Sequence, residues 1–510
     1  MPTPNIQPHR PGHQHPLHGV QATRDIEQVA LHRSPDHSLI EPAGRAVARL
    51  SQAIAPHAKR VVVVCGSGLN GADGLMAAHA LCVSGHTGVT LINVQGENPS
   101  PPRQQALNKA RAAGANEGND TDLDTADLVI DALLGIGMRT PLPDRLAQWC
   151  VRLNQLVCPV LCVDAPSGLD CDSGQALFDA VTPPSPRHTL SLLTLKPGLF
   201  TAQGRDMAGD VWLDTLGHAD LLHTTPASAH WFAPGHRVWT TSAPHHSHKG
   251  SHGDVMVIGG DQGHTSGHRM VGAAVLAARA ALGAGAGRVY LGLLGDNHRS
   301  DPHLIFDTVE PGLMLKRPTD ALAMPRSTVF VCGCGAGDAL GELLPSLLAS
   351  PHPMVLDADA LNLLAKGKDK LSLLMQERAQ RGLFTVITPH PLEAARLCDM
   401  GVAEVQRQRL AVATQMSQRW GCVTVLKGSG TVVSSPSGDT SINASGNGKL
   451  ATAGTGDVLA GMIGAQLARC GPSSLSVRTA VYAHGLIADV WPDQLPLTAS
   501  RLAAAARPMA

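Results

Sequence analysis

Short, fully apolar runs ending in glycine or a carboxylate alternate twice along this chain with stretches long enough for helices. That alternation constrains the fold more than any other feature. Residues 61–65, 89–94, 128–131, 160–164, 189–194 and 211–213 read as strands, with helices expected over 74–84, 103–113 and 144–156. Near-continuous Val/Ile/Leu runs without polar alternation are the mark of strands buried on both faces, so a parallel sheet covered by helices on both sides is predicted. A second series begins at 254–258 and continues through a helix over 271–282. Its strands are 288–291, 328–331, 355–356, 385–387 and 423–426, and a long helix starts near Asp457. Between 218 and 244 the rhythm fades and Pro226 and Pro234 punctuate a polar stretch, which reads as a linker. Residues 1–20 read as a disordered tail, 21–217 as one α/β domain and 245–510 as a second, larger one. At 510 residues, more than one domain is expected.

Composition excludes several classes of function. Lys plus Arg number 40 against 41 Asp plus Glu, a formal charge of −1, so neither a nucleic acid nor an anionic membrane is an expected partner. No run of about 18 apolar residues occurs and the first twenty residues lack an apolar h-region, so a cytoplasmic protein is expected. The 11 cysteines form no CxxC pair and sit mostly in strand-like runs, as buried reduced thiols would. The histidines near the N-terminus and at His245, His246, His248 and His252 have no carboxylate or cysteine framework around them and read as solvated loops.

Three strand ends in the first half carry candidate chemistry. Gly66, Gly68 and Gly71 satisfy GxGxxG after a strand and before a helix, where backbone N–H groups can face an anion. Asp131 precedes a second glycine loop, and Asp164 is followed by Pro166, Ser167 and Gly168. Ligands of open α/β sheets bind outside the carboxyl ends of the strands, so Asn70, Asp131, Asp164 and Ser167 are expected to converge on one crevice. Their hard oxygens suit an alkali or alkaline-earth cation. Each Asp taken alone also reads as a simple cap.

These segments, with 195–198, resemble NAD(P)H-hydrate epimerase, the N-terminal half of the bifunctional NAD(P)H-hydrate repair enzymes. The resemblance implies interconversion of the R and S hydrates of NADH and NADPH at C6 of the hydrated ring, with a bound potassium ion. It places Asn70, Asp131 and Ser167 at the cation positions and Asp164 beside the chemistry. It places Asn70, Gly71, Asp73, Gly135, Ile136, Gly137, Met138 and Arg139 on the dinucleotide. The family reads Asn-Asn-Gly-Gly-Asp where this chain has Leu69-Asn70-Gly71-Ala72-Asp73.

The second half carries Gly454-Thr455-Gly456-Asp457 running into an apolar helix. Bare N–H groups at the positive end of a helix dipole form a hole for a phosphoryl group, and the same dipole favours the Asp457 carboxylate, poised to deprotonate a hydroxyl for attack on phosphorus. No GxxxxGK[ST] occurs, so this is not a P-loop. Lys427 through Gly428, Ser429, Gly430 and Thr431, then His390 with Glu393, and Asp357 with Asp359, lie at other strand ends, with one carboxylate expected near Mg²⁺. Together these resemble the ribokinase-like fold and, more narrowly, ADP/ATP-dependent NAD(P)H-hydrate dehydratase. That resemblance puts Ala273, Gly335, His390 and Asp457 on the hydrate and residues 427–431 with Gly456 on the nucleotide. It implies that ADP or ATP, with Mg²⁺, is consumed in restoring the S hydrates of NADH and NADPH to the cofactors, by an enzyme expected to be a homo-oligomer. The residues by themselves establish only phosphoryl transfer to a hydroxyl. A small-metabolite kinase of the thiazole-alcohol type, with a non-catalytic dinucleotide-binding N-domain, is the alternative.

Overall fold

The computed structural model describes residues 7–8, 15–34, 38–94, 100–138, 140–234, 238–240, 244–263, 269–295 and 307–510. The chain divides into two compact units, with the change between His230 and Trp231 in the main run of the chain.

In the first unit the strand order is Gln7–Pro8, Asp210–Asp214, Arg187–Leu192, Val160–Val163, Leu128–Ala132, Val61–Cys65, Val89–Asn93, Asn116–Glu117. All pairs are parallel except that of Gln7–Pro8. The period of two in a strand divides the side chains between two layers. Val61, Val63 and Cys65 pack under helices Ile40–Ile54, Leu69–Val83 and Pro101–Ala112, while Val62 and Val64 meet Cys150 and Leu153 on the other face. Strand order reverses between Val61–Cys65 and Leu128–Ala132, the switch point at which such sheets open a crevice.

The second unit repeats the plan on a larger scale. Asp254–Asp261 lies between Arg288–Leu294 and Val329–Cys332, followed by Met354–Leu356, Thr385–Ile387 and Val423–Leu426, all parallel. Val432–Ser434 and Thr440–Asn443 then add antiparallel strands that the sequence reading did not anticipate. They are short and fully buried, so they show no polar alternation. Helix Thr455–Cys470 lies against Val271–Gly283; a Cβ at Gly461 would stand 2.0 Å from the Ala277 carbonyl oxygen.

Three expectations change. The helix expected at 74 begins at Leu69, because Gly71 and Gly74 serve to bring it close to the sheet: a Cβ at Gly71 would lie 2.1 Å from the Gly66 carbonyl oxygen. Within the stretch expected to be a tail, His15–Leu17 is a strand and His18 is fully buried, held by its N–H to the Leu195 carbonyl. Residues 218–244, expected as a linker, include helix Leu221–Thr224 and strand Ala229–Phe232, whose apolar Trp231 and Phe232 are buried. No helix among the described residues is long and apolar enough to cross a membrane. All 11 cysteines are free thiols; seven are buried and Cys470 is exposed.

Candidate functional sites

At the switch point of the first unit lies a cavity of about 880 Å³. Asn70, Asp73, Gly135, Ile136, Gly137, Met138 and Asp164 line it, together with Arg24 and Glu27 from the N-terminal helix Val20–Arg33. Arg139 lies outside the described residues. Gly71 does not line the cavity; it packs beneath it against Gly66.

Asp164 follows its strand directly and sits at φ 64°, in the left-handed region that a non-glycine residue rarely occupies. Its carboxylate accepts the Leu192 N–H at 3.0 Å and contacts the Lys196 ammonium. Lys196 is wholly buried, and its other hydrogen bonds go to Ser191 Oγ at 3.1 Å and the Leu192 carbonyl at 2.9 Å. The buried Lys196 and the Leu192 N–H together fix the position of the Asp164 carboxylate at the cavity wall. Two further carboxyls share the space. Burial, then Asp164 and Glu27, lift Asp73 well above the usual carboxylate range, and burial followed by Asp164 raises Glu27. Neither Lys196 nor Glu27 was assigned a role from the sequence. Glu27 sits on a helix whose polar positions all look alike, and only its position on the cavity wall singles it out.

The expected convergence of Asn70, Asp131, Asp164 and Ser167 on one crevice is corrected. Asp131 and Ser167 line a separate small cavity beside Phe178 and Arg187. Asp131 lies within its strand and turns to meet Ser167, accepting its Oγ–H at 2.6 Å and its N–H at 3.0 Å. Burial raises the Asp131 pKa. The two departures from the family motif also find a place. Ala72 is fully buried in the helix-covered core, so its methyl group points away from ligand, whereas Leu69 is half exposed on the cavity wall.

In the second unit, Asp457 occupies the first turn of helix Thr455–Cys470, entered through Gly454 at φ 88°. Lys427 Nζ lies 2.7 Å from Asp357 Oδ1 and 4.0 Å from Glu393, and a Cβ at Gly456 would stand 3.2 Å from that ammonium. Asp357 also accepts the Thr388 hydroxyl at 2.7 Å. Ligand atoms of Cys334, Asp357 and Asp457 all fall within 4.8 Å of one another. Burial opposes the Lys427 charge, but Asp357 and Glu393 outweigh it and hold the ammonium above its ordinary value. The expectation that the helix dipole biases Asp457 toward ionisation is corrected: burial first, and then the like charge of Asp357, push it up to about 6. Burial likewise pushes Glu393 to about 7.

The remaining residues carried over from the family gather around this point unevenly. Gly335 and Ala273 adjoin, a Cβ on Gly335 falling 2.9 Å from that of Ala273. His390 caps helix Pro391–Cys398, its Nδ1 accepting the Leu392 N–H at 3.1 Å, so part of its role is structural. The 427–431 turn is tied down by the buried Arg409, which donates to the Leu426, Lys427 and Gly430 carbonyls, and by the Thr431 hydroxyl donating to Gly428 at 3.1 Å. Ser429 lies within the same turn. Arg409 was missed because a lone arginine on an amphipathic helix resembles any solvated one; here it is 3% exposed. His248 accepts the Gly250 N–H in a turn of its own.

Residues 36–198 match the family model described as YjeF-related protein N-terminus, and residues 255–507 match NAD(P)H-hydrate dehydratase. The chain is 36% identical over 475 residues to the bifunctional NAD(P)H-hydrate repair enzyme Nnr of Escherichia coli (strain K12), covering 89% of this chain and 85% of that one. It is 31% identical to the enzyme of the same name from Coxiella burnetii, covering 93% and 94%. Among solved structures it is similar to the ADP/ATP-dependent NAD(P)H-hydrate dehydratase of Bacillus subtilis co-crystallised with ATP/Mg²⁺, with 27% identity, 52% of this chain and 91% of that one covered, and a TM-score of 0.41. The two family models, one on each unit, and relatives more than 30% identical over most of their length place the chain in the family of bifunctional NAD(P)H-hydrate repair enzymes.

Proposed function

We propose that the first unit epimerises the R and S hydrates of NADH and NADPH, and that the second dehydrates the S form at the expense of ADP or ATP. The observation that carries this reading is the position of Asp457: a buried carboxylate in the first turn of a glycine-entered helix, beside Asp357 and Lys427. Asp457 takes the proton of the substrate's C6 hydroxyl, whose oxygen attacks the terminal phosphorus of the nucleotide. The helix N-terminus and Lys427 stabilise charge on the transferred group. Phosphate then leaves C6 where hydroxide would leave poorly, and loss of a ring proton restores the dihydronicotinamide.

In the first unit, Asp164 with Lys196 beneath it and Glu27 on the same cavity wall divide the proton transfers. A protonated carboxyl assists departure of the C6 hydroxyl as water, with the ring nitrogen supplying electrons, and an ionised one deprotonates the water that returns on the other face. This favours an active epimerase over the non-catalytic dinucleotide-binding alternative.

The donor sets fit the expected ions. Asp357 Oδ2 carries none of the hydrogen bonds that occupy Oδ1, and it is a hard oxygen suited to Mg²⁺, which would neutralise nucleotide phosphate charge. Asp131 is a buried carboxylate with no ammonium or guanidinium in contact among the described residues. Asp131 and Ser167 would hold potassium, which offsets the Asp131 charge, whereas Asn70 lies on the wall of the larger cavity.

Incubating the chain with mixed NADH hydrates and either ADP or ATP tests the whole reading. Absorbance at 340 nm returns fully if both units act, and only for the S fraction if the first is inert. Accumulation of a phosphorylated alcohol with no return of absorbance would favour the small-metabolite kinase.

A further inference from the structure

Beside the Asp164 cavity a second one opens, of about 580 Å³. The two adjoin, since Ser38, Ile40, Pro102, Gln105 and Leu216 line both. Their charges differ in sign. The first gathers Glu27, Asp73 and Asp164 with Arg24, whereas the second gathers Arg33, Arg45 and Lys109 against Glu41 alone.

Two helices build this change along their own length. On helix Pro101–Ala112, Pro102 and Gln105 line both cavities, and Lys109 lines only the second. These positions follow i, i+3, i+7 spacing, a single stripe that advances about 10 Å along the axis. On helix Ile40–Ile54, Ile40 borders both cavities and Arg45 only the second. Arg45 is paired with Glu41 at 2.6 Å and Arg33 with Asp220 at 2.7 Å. Lys109 has no carboxylate partner among the described residues.

In a chain of formal charge −1, an acidic cavity beside a cationic one fits an elongated ligand that reacts at one end and carries negative charge at the other. With the hydrated nicotinamide at Asp164, the adenosine half lies at the far end, and only the NADPH hydrate bears a phosphate monoester there. We infer that the second cavity receives the ribose 2′-phosphate of NADPH hydrate, with Lys109 as its principal cation and Arg45 as its second. The first unit therefore favours the phosphorylated hydrate. This rests on the epimerase reading of the first cavity.

The test measures epimerisation of NADH and NADPH hydrates separately with the full chain. In Lys109→Ala the ratio of kcat/KM for NADPH hydrate over NADH hydrate falls about tenfold, the loss of one charge-assisted phosphate contact. Lys109→Arg restores the ratio. A ratio unchanged in both Lys109→Ala and Arg45→Ala overturns the inference. If the unsubstituted chain epimerises neither hydrate, the epimerase reading falls, and the cavity is judged on binding of adenosine 2′,5′-bisphosphate against AMP. A preference for the bisphosphate that disappears in Lys109→Ala supports the phosphate site; the same preference in both proteins overturns it.

Discussion

The wholly buried Lys196 places its ammonium against the carboxylate of Asp164, 32 residues earlier in the chain, at the wall of the first cavity. Removing one partner of such a pair leaves an uncompensated buried charge. Lys196→Met is expected to cost about 3–5 kcal/mol of stability and to abolish epimerisation. The double variant Lys196→Met/Asp164→Asn regains much of the stability but no activity. Chemical denaturation of both proteins, read beside epimerase assays, checks the pairing.

Glu27 lines the same cavity but supports no hydrogen bond or ion pair among the described residues. Glu27→Gln is therefore expected to melt within a degree or two of the parent while epimerisation slows by about 10²-fold or more. Unchanged turnover would remove Glu27 from the proton transfers.

Asp457→Asn is expected to lower dehydration by at least about 10²-fold while ADP binding remains measurable by calorimetry. The same variant tests the electrostatics. A carboxyl raised from its ordinary value to about 6 holds its proton better in the folded state, so that contribution to stability is complete below about pH 4 and is lost as pH rises through 6. Asp457→Asn should gain thermal stability relative to the parent at pH 8 and lose that advantage at pH 4.

With Asp457 as the proposed base, the rate of dehydration is expected to climb with pH through about 6. Burial and Asp357 raise the midpoint, so Asp357→Asn should move it downward even though it also weakens Mg²⁺ binding. A kcat profile across pH 5–8, at saturating nucleotide, separates the two effects. A midpoint unmoved in the variant would mean that burial alone sets it.

Arg409 holds the 427–431 turn, the proposed nucleotide site, through three carbonyls. Arg409→Met leaves those acceptors unpaired and loosens the turn. The expected result is ADP affinity weakened about tenfold with little change in kcat.

The sequence by itself determined the two series of strands and helices, the carboxylates at strand ends and the glycine-entered helix of Asp457. Those features are local: apolar runs, periodicity and glycine spacing fix backbone conformation within a few residues. It did not reveal that Gly71 brings a helix close to its strand, because a glycine's neighbour across a fold has no mark in the chain. Only the tertiary structure decided that Asp131 and Ser167 turn away from Asp164, that Lys196 lies beneath it, that Glu27 joins it, and that Asp457 is raised instead of lowered. Each of these depends on burial and on charges tens to hundreds of residues away, and burial in a low-dielectric interior outweighs the local dipole that the sequence alone makes visible.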